Sequence, residues 1–147
     1  AESCTGGLAA KMITDQPGSS RIFWGGVVAY SNAAKQRLLG VEQAMLERYG
    51  AVSRESATAM AEGLLEATPA DLALCVTGIA GPEGGGPDKP VGTVWISARR
   101  RGGSELARVF RFPGGRELVR RRSAVAGLLL AECLLTGEEF PQVFPAA

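Results

Sequence analysis

The sequence predicts an α/β fold with three layers, α/β/α, and helices on both sides of a mixed, mostly parallel sheet. Three observations predict it. Strand-like and helix-like segments alternate through the first half of the chain. The all-apolar run at residues 72–76 reads as a buried central strand. A hairpin followed by a long helical segment then closes the second half. The 147 residues, 46% of them hydrophobic, suit a single domain with a packed core.

The elements follow in order. Leu8, Met12 and Ile13 carry helical spacing, and Pro17-Gly18 ends that helix. Residues 22–31 are rich in Val, aromatics and Gly and predict a strand. Asn32 is the expected cap of a short helix that reaches about Leu39, where Gly40 stops it. Another short helix is expected over residues 42–49. Ser53 caps a longer one, with Ala57, Met60, Ala61, Leu64 and Leu65 on its apolar face and Pro69 beyond its end. Thr77-Gly78 ends the buried strand and opens a long Gly/Pro-rich loop up to Gly92. Residues 91–99 and 105–112 alternate as hairpin strands joined at Gly102-Gly103. Pro113-Gly114-Gly115 breaks the pattern, and a final helix is predicted over residues 116–136. The tail, residues 138–147, has two prolines and no periodicity, so irregular packing or fraying is expected.

Composition removes several function classes. The net charge is +1 and 21% of residues are charged, which argues against a disordered tail and against direct nucleic-acid binding. No signal peptide or membrane-spanning run is read; residues 124–135 are apolar but too short, and predict a buried helix. Cys4, Cys75 and Cys133 form neither a disulfide framework nor a zinc spacing, which points to a reducing cytoplasm. Arginines cluster at 99–101 and again at Arg116, Arg120, Arg121 and Arg122. Each cluster reads as a solvated face, and the second also as a holder of an anionic group such as phosphate. There is no histidine. That excludes a Ser-His-Asp triad, a Cys-His pair and the commonest metal ligand. Acid–base chemistry near neutral pH then falls to a perturbed Lys, Tyr, Cys or carboxylate.

Three constellations carry candidate chemistry. Ser3-Cys4-Thr5-Gly6-Gly7 enters a helix, where free N–H groups and the helix dipole favour an anion. A serine there could attack a carbonyl while nearby N–H groups hold the oxyanion. The same Ser or Thr also suits an ordinary helix cap, and Thr5 could cap while Ser3 reacts. Cys4 is the competing nucleophile, or a small buried hydrophobe. The second constellation is Tyr30-Ser31-Asn32-Ala33-Ala34-Lys35, at a strand end and helix start. With no histidine, Lys35 is the leading candidate base for a hydroxyl nucleophile, and Tyr30 a candidate to relay the proton or hold Lys35. The bland alternative is a surface lysine beside a half-buried tyrosine. The third is the loop Thr77-Gly78-Ile79-Ala80-Gly81-Pro82 onward through Lys89 to Gly92. It is longer than a turn needs and could line a nucleotide pocket, with Lys89 near a phosphate, or be a flexible surface loop. It matches neither the Walker A nor the G-x-G-x-x-G pattern.

Taken in order, these segments resemble a known family. Ala1-Glu2-Ser3-Cys4-Thr5-Gly6-Gly7, Gly18-Ser19-Ser20, Tyr30-Ser31-Asn32-Ala33-Ala34-Lys35, Gly50-Ala51-Val52-Ser53, Gly78-Ile79-Ala80-Gly81-Pro82, Lys89-Pro90-Val91-Gly92-Thr93-Val94 and Gly115-Arg116 with Val119-Arg120 carry the resemblance. The set looks like the CinA C-terminal domain family, the nicotinamide-nucleotide amidohydrolases, from Ala1 to about Leu135. The resemblance implies hydrolysis of nicotinamide mononucleotide to nicotinate mononucleotide and ammonia, with no cofactor and no metal. It implies an anticodon-binding-like α/β/α fold, a pyridine-nucleotide ligand and homodimers. Carried over, it places the family's serine on Ser3, its tyrosine on Tyr30 and its lysine on Lys35, and favours Ser3 over Cys4 as nucleophile. Family members have a helix and a first strand before the Ala-Glu-Ser-Cys motif, so residues preceding Ala1 are expected to be missing from this sequence. Some relatives also carry an N-terminal molybdopterin-binding-like domain.

The expected mechanism is acyl transfer, with Lys35 taking the proton of Ser3 with help from Tyr30. N–H groups at residues 5–7 or 78–80 would hold the oxyanion. Candidate substrate contacts are Thr5, Gly6, Gly7, Thr77, Gly78, Ile79, Ala80, Gly81 and Lys89, with Arg116 or Arg120 and the backbone of Gly6-Gly7 on the phosphate. The rival from another class is a non-catalytic interaction module linked to competence or DNA damage. An amidohydrolase acting on another pyridine nucleotide or amide is the third reading.

Overall fold

The computed structural model describes residues 1–144. Helix α1 covers Leu8–Thr14 and is followed by a 3-10 turn at Ser19–Arg21. Helices α2 (Asn32–Leu39), α3 (Gln43–Tyr49) and α4 (Arg54–Ala67) come next. Strands β1 (Leu72–Gly78), β2 (Thr93–Arg100) and β3 (Glu105–Arg111) precede the long helix α5 (Arg116–Thr136). Local chemistry sets most boundaries. Ser53 Oγ accepts from Ser56 N at 3.1 Å and starts α4, while Gly40 at φ 64° closes α2. The cap of α2 is Ser31, whose Oγ accepts from Ala34 N at 3.1 Å, and Asn32 is the first helical residue instead.

The sheet corrects the prediction of a mostly parallel array. β1 pairs antiparallel with β2, and β2 antiparallel with β3. Among the described residues, parallel pairing occurs only at the other side of β1, where Glu2 bridges both Val76 and Val28. Four main-chain bonds make that lane: Val76 N to Ala1 O (3.0 Å), Ser3 N to Val76 O (2.9 Å), Glu2 N to Val27 O (2.8 Å) and Ala29 N to Glu2 O (2.9 Å). The misreading has a clear cause. An apolar run reports burial on both faces, which parallel sheets usually have, but two helical layers bury an antiparallel strand equally well. The strand expected over residues 22–31 is likewise reduced to a bridge at Val28, because among the described residues it pairs with the short lane at Glu2 alone.

Helices cover both faces, as expected. On one face α5 packs Val119, Ala126 and Leu130 against Val76, Val94, Ile96, Phe110 and Phe112. On the other, Met60, Ala61 and Leu64 of α4 meet Ala73 and Cys75, joined by Leu39 and Leu46. Full burial of side chains such as Met60, Ile96 and Leu130 contributes roughly 1.5–3 kcal/mol each. Gly63 lets α2 abut α4, since a Cβ there would fall 1.8 Å from Leu39 O. The tail is irregular but packed: Phe140 is buried, and Phe144 meets Phe112 edge-on with centroids 5.4 Å apart. Residues 145–147 of the tail lie outside the described residues. Among the described residues no helix is long and apolar enough to cross a membrane.

Candidate active site

The parallel lane at Glu2 delivers Ser3 to the end of the sheet, beside the C-terminal end of β1. The chain then turns sharply. Gly6 N donates to Ser3 O at 3.1 Å, and Gly6 and Gly7 both hold positive φ, 60° and 95°. Two consecutive left-handed residues explain the Gly-Gly pair. Arg120 of α5 secures the outside of the turn, donating from Nε to Cys4 O (3.2 Å) and from Nη2 to Thr5 O (2.8 Å).

Lys35 enters from the first turn of α2 and is 1% exposed. Its Nζ lies 3.2 Å from Ser3 Oγ, 3.0 Å from Ala29 O and 3.3 Å from Tyr30 O. Among the described residues it makes no ion pair with a carboxylate. Burial holds its pKa below the ordinary lysine value, and the nearby thiols of Cys75 and Cys4 oppose this only in part. Its Nζ donates to the two carbonyls, and Ser3 Oγ lies within hydrogen-bond reach of the same nitrogen. Cys4 is buried and its thiol is pushed up to about 12, chiefly by burial, which leaves it a poor nucleophile at neutral pH.

A cavity of about 190 Å³ opens over this pair. Of the residues singled out in the sequence, Ser3, Tyr30, Lys35, Thr77, Gly78, Ala80 and Arg116 line it together, with Cys4 beside them. Thr77 is buried and donates to Ala51 O at 2.8 Å. Tyr30 reaches Lys35 through its backbone carbonyl, whereas its phenol oxygen accepts from Arg116 Nη2 at 2.9 Å. Arg116 also donates to Gly81 O at 2.9 Å, so it ties the Tyr30 segment to the long loop across the rim.

Other expected contacts fall elsewhere. Gly7 N–H is bonded to Glu2, Gly6 N–H to Ser3 O, and Ile79 N–H to Thr93 O. Thr5 is fully buried and Lys89 donates to Tyr49 O at 2.9 Å. Sequence reasoning missed Asn32, Ala51 and Val52 as lining residues. In the sequence Asn32 reads as a cap, and the other two carry no chemistry to signal them. It also missed the engagement of the α1 amides by the Glu2 carboxylate, which no linear pattern announces.

Fold and site together define an α/β domain with a buried serine–lysine pair at the floor of a small cavity. The CinA C-terminal domain model matches residues 1–135, and the chain belongs to that family. It is 54% identical over 131 residues to a protein of Enterobacter agglomerans named nicotinamide-nucleotide amidohydrolase PncC, covering 89% of this chain and 80% of that protein. It is 52% identical over 137 residues to a CinA-like protein of Mycolicibacterium vanbaalenii, covering 93% of this chain. The chain spans only 32% of the length of that curated relative. Among solved structures, the competence/damage inducible protein CihA of Agrobacterium tumefaciens superposes with a TM-score of 0.90 at 42% identity, over 92% of this chain and 82% of that one. A CinA-superfamily protein of Escherichia coli gives 0.84 at 36% identity, over 91% of this chain and 77% of that one.

Proposed function

We propose that this domain hydrolyses the carboxamide of nicotinamide mononucleotide, giving nicotinate mononucleotide and ammonia. The observation that carries the reading is the 3.2 Å approach of a buried Lys35 Nζ to Ser3 Oγ, in a chain without histidine. Neutral Lys35 accepts the hydroxyl proton as Ser3 Oγ attacks the carboxamide carbon. The tetrahedral oxyanion is met by the N–H group of Cys4, which lines the cavity and whose N–H has no protein acceptor among the described residues. Lys35 returns its proton to the amide nitrogen, the C–N bond breaks and ammonia departs. Water, deprotonated by the same amine, then attacks the ester carbon; the C–Oγ bond breaks, Lys35 returns that proton to Ser3 Oγ, and the carboxylate product leaves.

Arg116 holds the phosphate. It lines the cavity, is exposed, and keeps donors beyond the two it has committed to Gly81 and Tyr30. The amidohydrolase name of the Enterobacter agglomerans relative supports the choice of substrate. The test is ammonia release with purified protein, using nicotinamide mononucleotide and nicotinamide riboside in parallel. The proposal expects ammonia and nicotinate mononucleotide in equal amounts, and a much higher KM for the riboside. No ammonia from either compound would favour a non-catalytic interaction module. Equal rates from both would take the phosphate out of the recognition.

A further inference from the structure

Glu2 is a buried carboxylate, 6% exposed, immediately before Ser3 in sequence. Its side chain points into the start of α1 and accepts three main-chain N–H bonds. Oε2 takes Gly7 N at 3.0 Å and Ala9 N at 3.1 Å, and Oε1 takes Ala10 N at 2.8 Å. Those are amides a helix start leaves unpaired, so the carboxylate closes the turn between Ser3 and α1 from the inside. Arg120 closes it from the outside through Cys4 O and Thr5 O.

The main chain of Glu2 holds the other half of the site. Its N–H donates to Val27 O and its carbonyl accepts from Ala29 N, and Ala29 O in turn accepts from Lys35 Nζ. One residue therefore ties together the strand end that carries Ser3, the segment that seats Lys35, and the helix that follows. No cavity-lining position belongs to it.

We propose that the Glu2 carboxylate is a positioning residue, which locks the turn at residues 3–7 so that Ser3 Oγ faces Lys35 and the Cys4 amide faces the oxyanion. This inference rests on the serine–lysine reading above. The negative charge matters because all three partners are donors. Glutamine has the same size, yet its NH₂ would be pressed against one or two N–H groups, and the turn would shift to relieve that clash. Misplacing reacting groups by about 1 Å costs on the order of 100-fold in rate without weakening the binding of substrate to the rim.

The experiment uses Glu2→Gln and Glu2→Ala with two readouts. The first is ammonia release from nicotinamide mononucleotide, separated into kcat and KM. The second is the rate at which a fluorophosphonate labels Ser3, followed by intact mass with Ser3→Ala as the unlabelled control. For folded Glu2→Gln, kcat and the labelling rate should both fall on the order of 100-fold, with KM inside about a 3-fold range. A kcat and labelling rate equal to wild type in Glu2→Gln would overturn the inference, even if its melting temperature fell. Glu2→Ala is read only per folded molecule, and should lose at least as much. Wild type that labels but releases no ammonia would sink the substrate assignment and leave Glu2 to the labelling data. Wild type that neither labels nor turns over would overturn both.

Discussion

The floor and the rim of the cavity are built differently. At the floor, Ser3 and Lys35 are buried, and main-chain groups set them: Val76 O, Ala29 O, Tyr30 O. At the rim, Tyr30 and Arg116 are exposed and hold each other through long side chains. A buried pair surrounded by fixed dipoles needs little reorganisation during reaction, which suits the chemical step. An exposed guanidinium with spare donors can rearrange around an anion, which suits recognition. The contrast teaches that floor substitutions should act on kcat and rim substitutions on KM.

The largest effect is expected at the floor. Ser3→Ala and Lys35→Met should each lower kcat at least about 1000-fold, with KM little changed. Ammonia assays on both variants check this, and a retained kcat in either would break the contrast. The pH dependence follows from Lys35. Its folded pKa lies below that of the unfolded chain because of burial. Activity should therefore rise with pH through that lowered pKa, below the ordinary lysine value of 10.5, as the amine loses its proton. The same shift has a stability sign. The unfolded state binds more protons between the two pKa values, so stability rises with pH across that window, and burying this amine costs stability at neutral pH. Lys35→Met should accordingly melt higher than wild type while being inactive, where 1 kcal/mol moves Tm by about 2–4 °C at this size. A lower Tm in calorimetry would argue that Lys35 serves the fold.

Rim effects are smaller. Arg116→Ala should raise KM for nicotinamide mononucleotide about 10-fold and leave kcat within a few-fold, the scale of one charge-assisted contact. It should also erase the preference over the riboside. Tyr30→Phe removes a phenol that faces Arg116, and should shift KM by about 3-fold or less, the worth of one neutral hydrogen bond. A kcat loss matching that of Lys35→Met would instead move Tyr30 from the rim to the proton path.

Helix positions were legible because their signals are local. Ser53, Gly40 and the spacing through Leu64 and Leu65 are written within a few residues of the boundaries they set. Strand direction was not legible, because burial on both faces of β1 comes from α4 and α5 rather than from parallel neighbours. Of the site, Ser3, Lys35, Tyr30 and Arg116 could be named from residue type, motif order and the missing histidine. Their division into floor and rim could not, since it depends on Tyr30 presenting its carbonyl to Lys35 and its phenol to Arg116. Gly7 shows the same limit. Its place before a helix suggested an anion site, but the anion that fills it is Glu2, five residues earlier.

The central claim is that Ser3 and Lys35 act as one unit, and a double-mutant cycle tests it most directly. Ammonia release is measured for wild type, Ser3→Ala, Lys35→Met and the doubly substituted protein. The account predicts that the double variant keeps the same residual rate as either single variant, because each alone already removes the shared proton transfer. Losses that multiply, with the double variant slower by the product of the two, would contradict it.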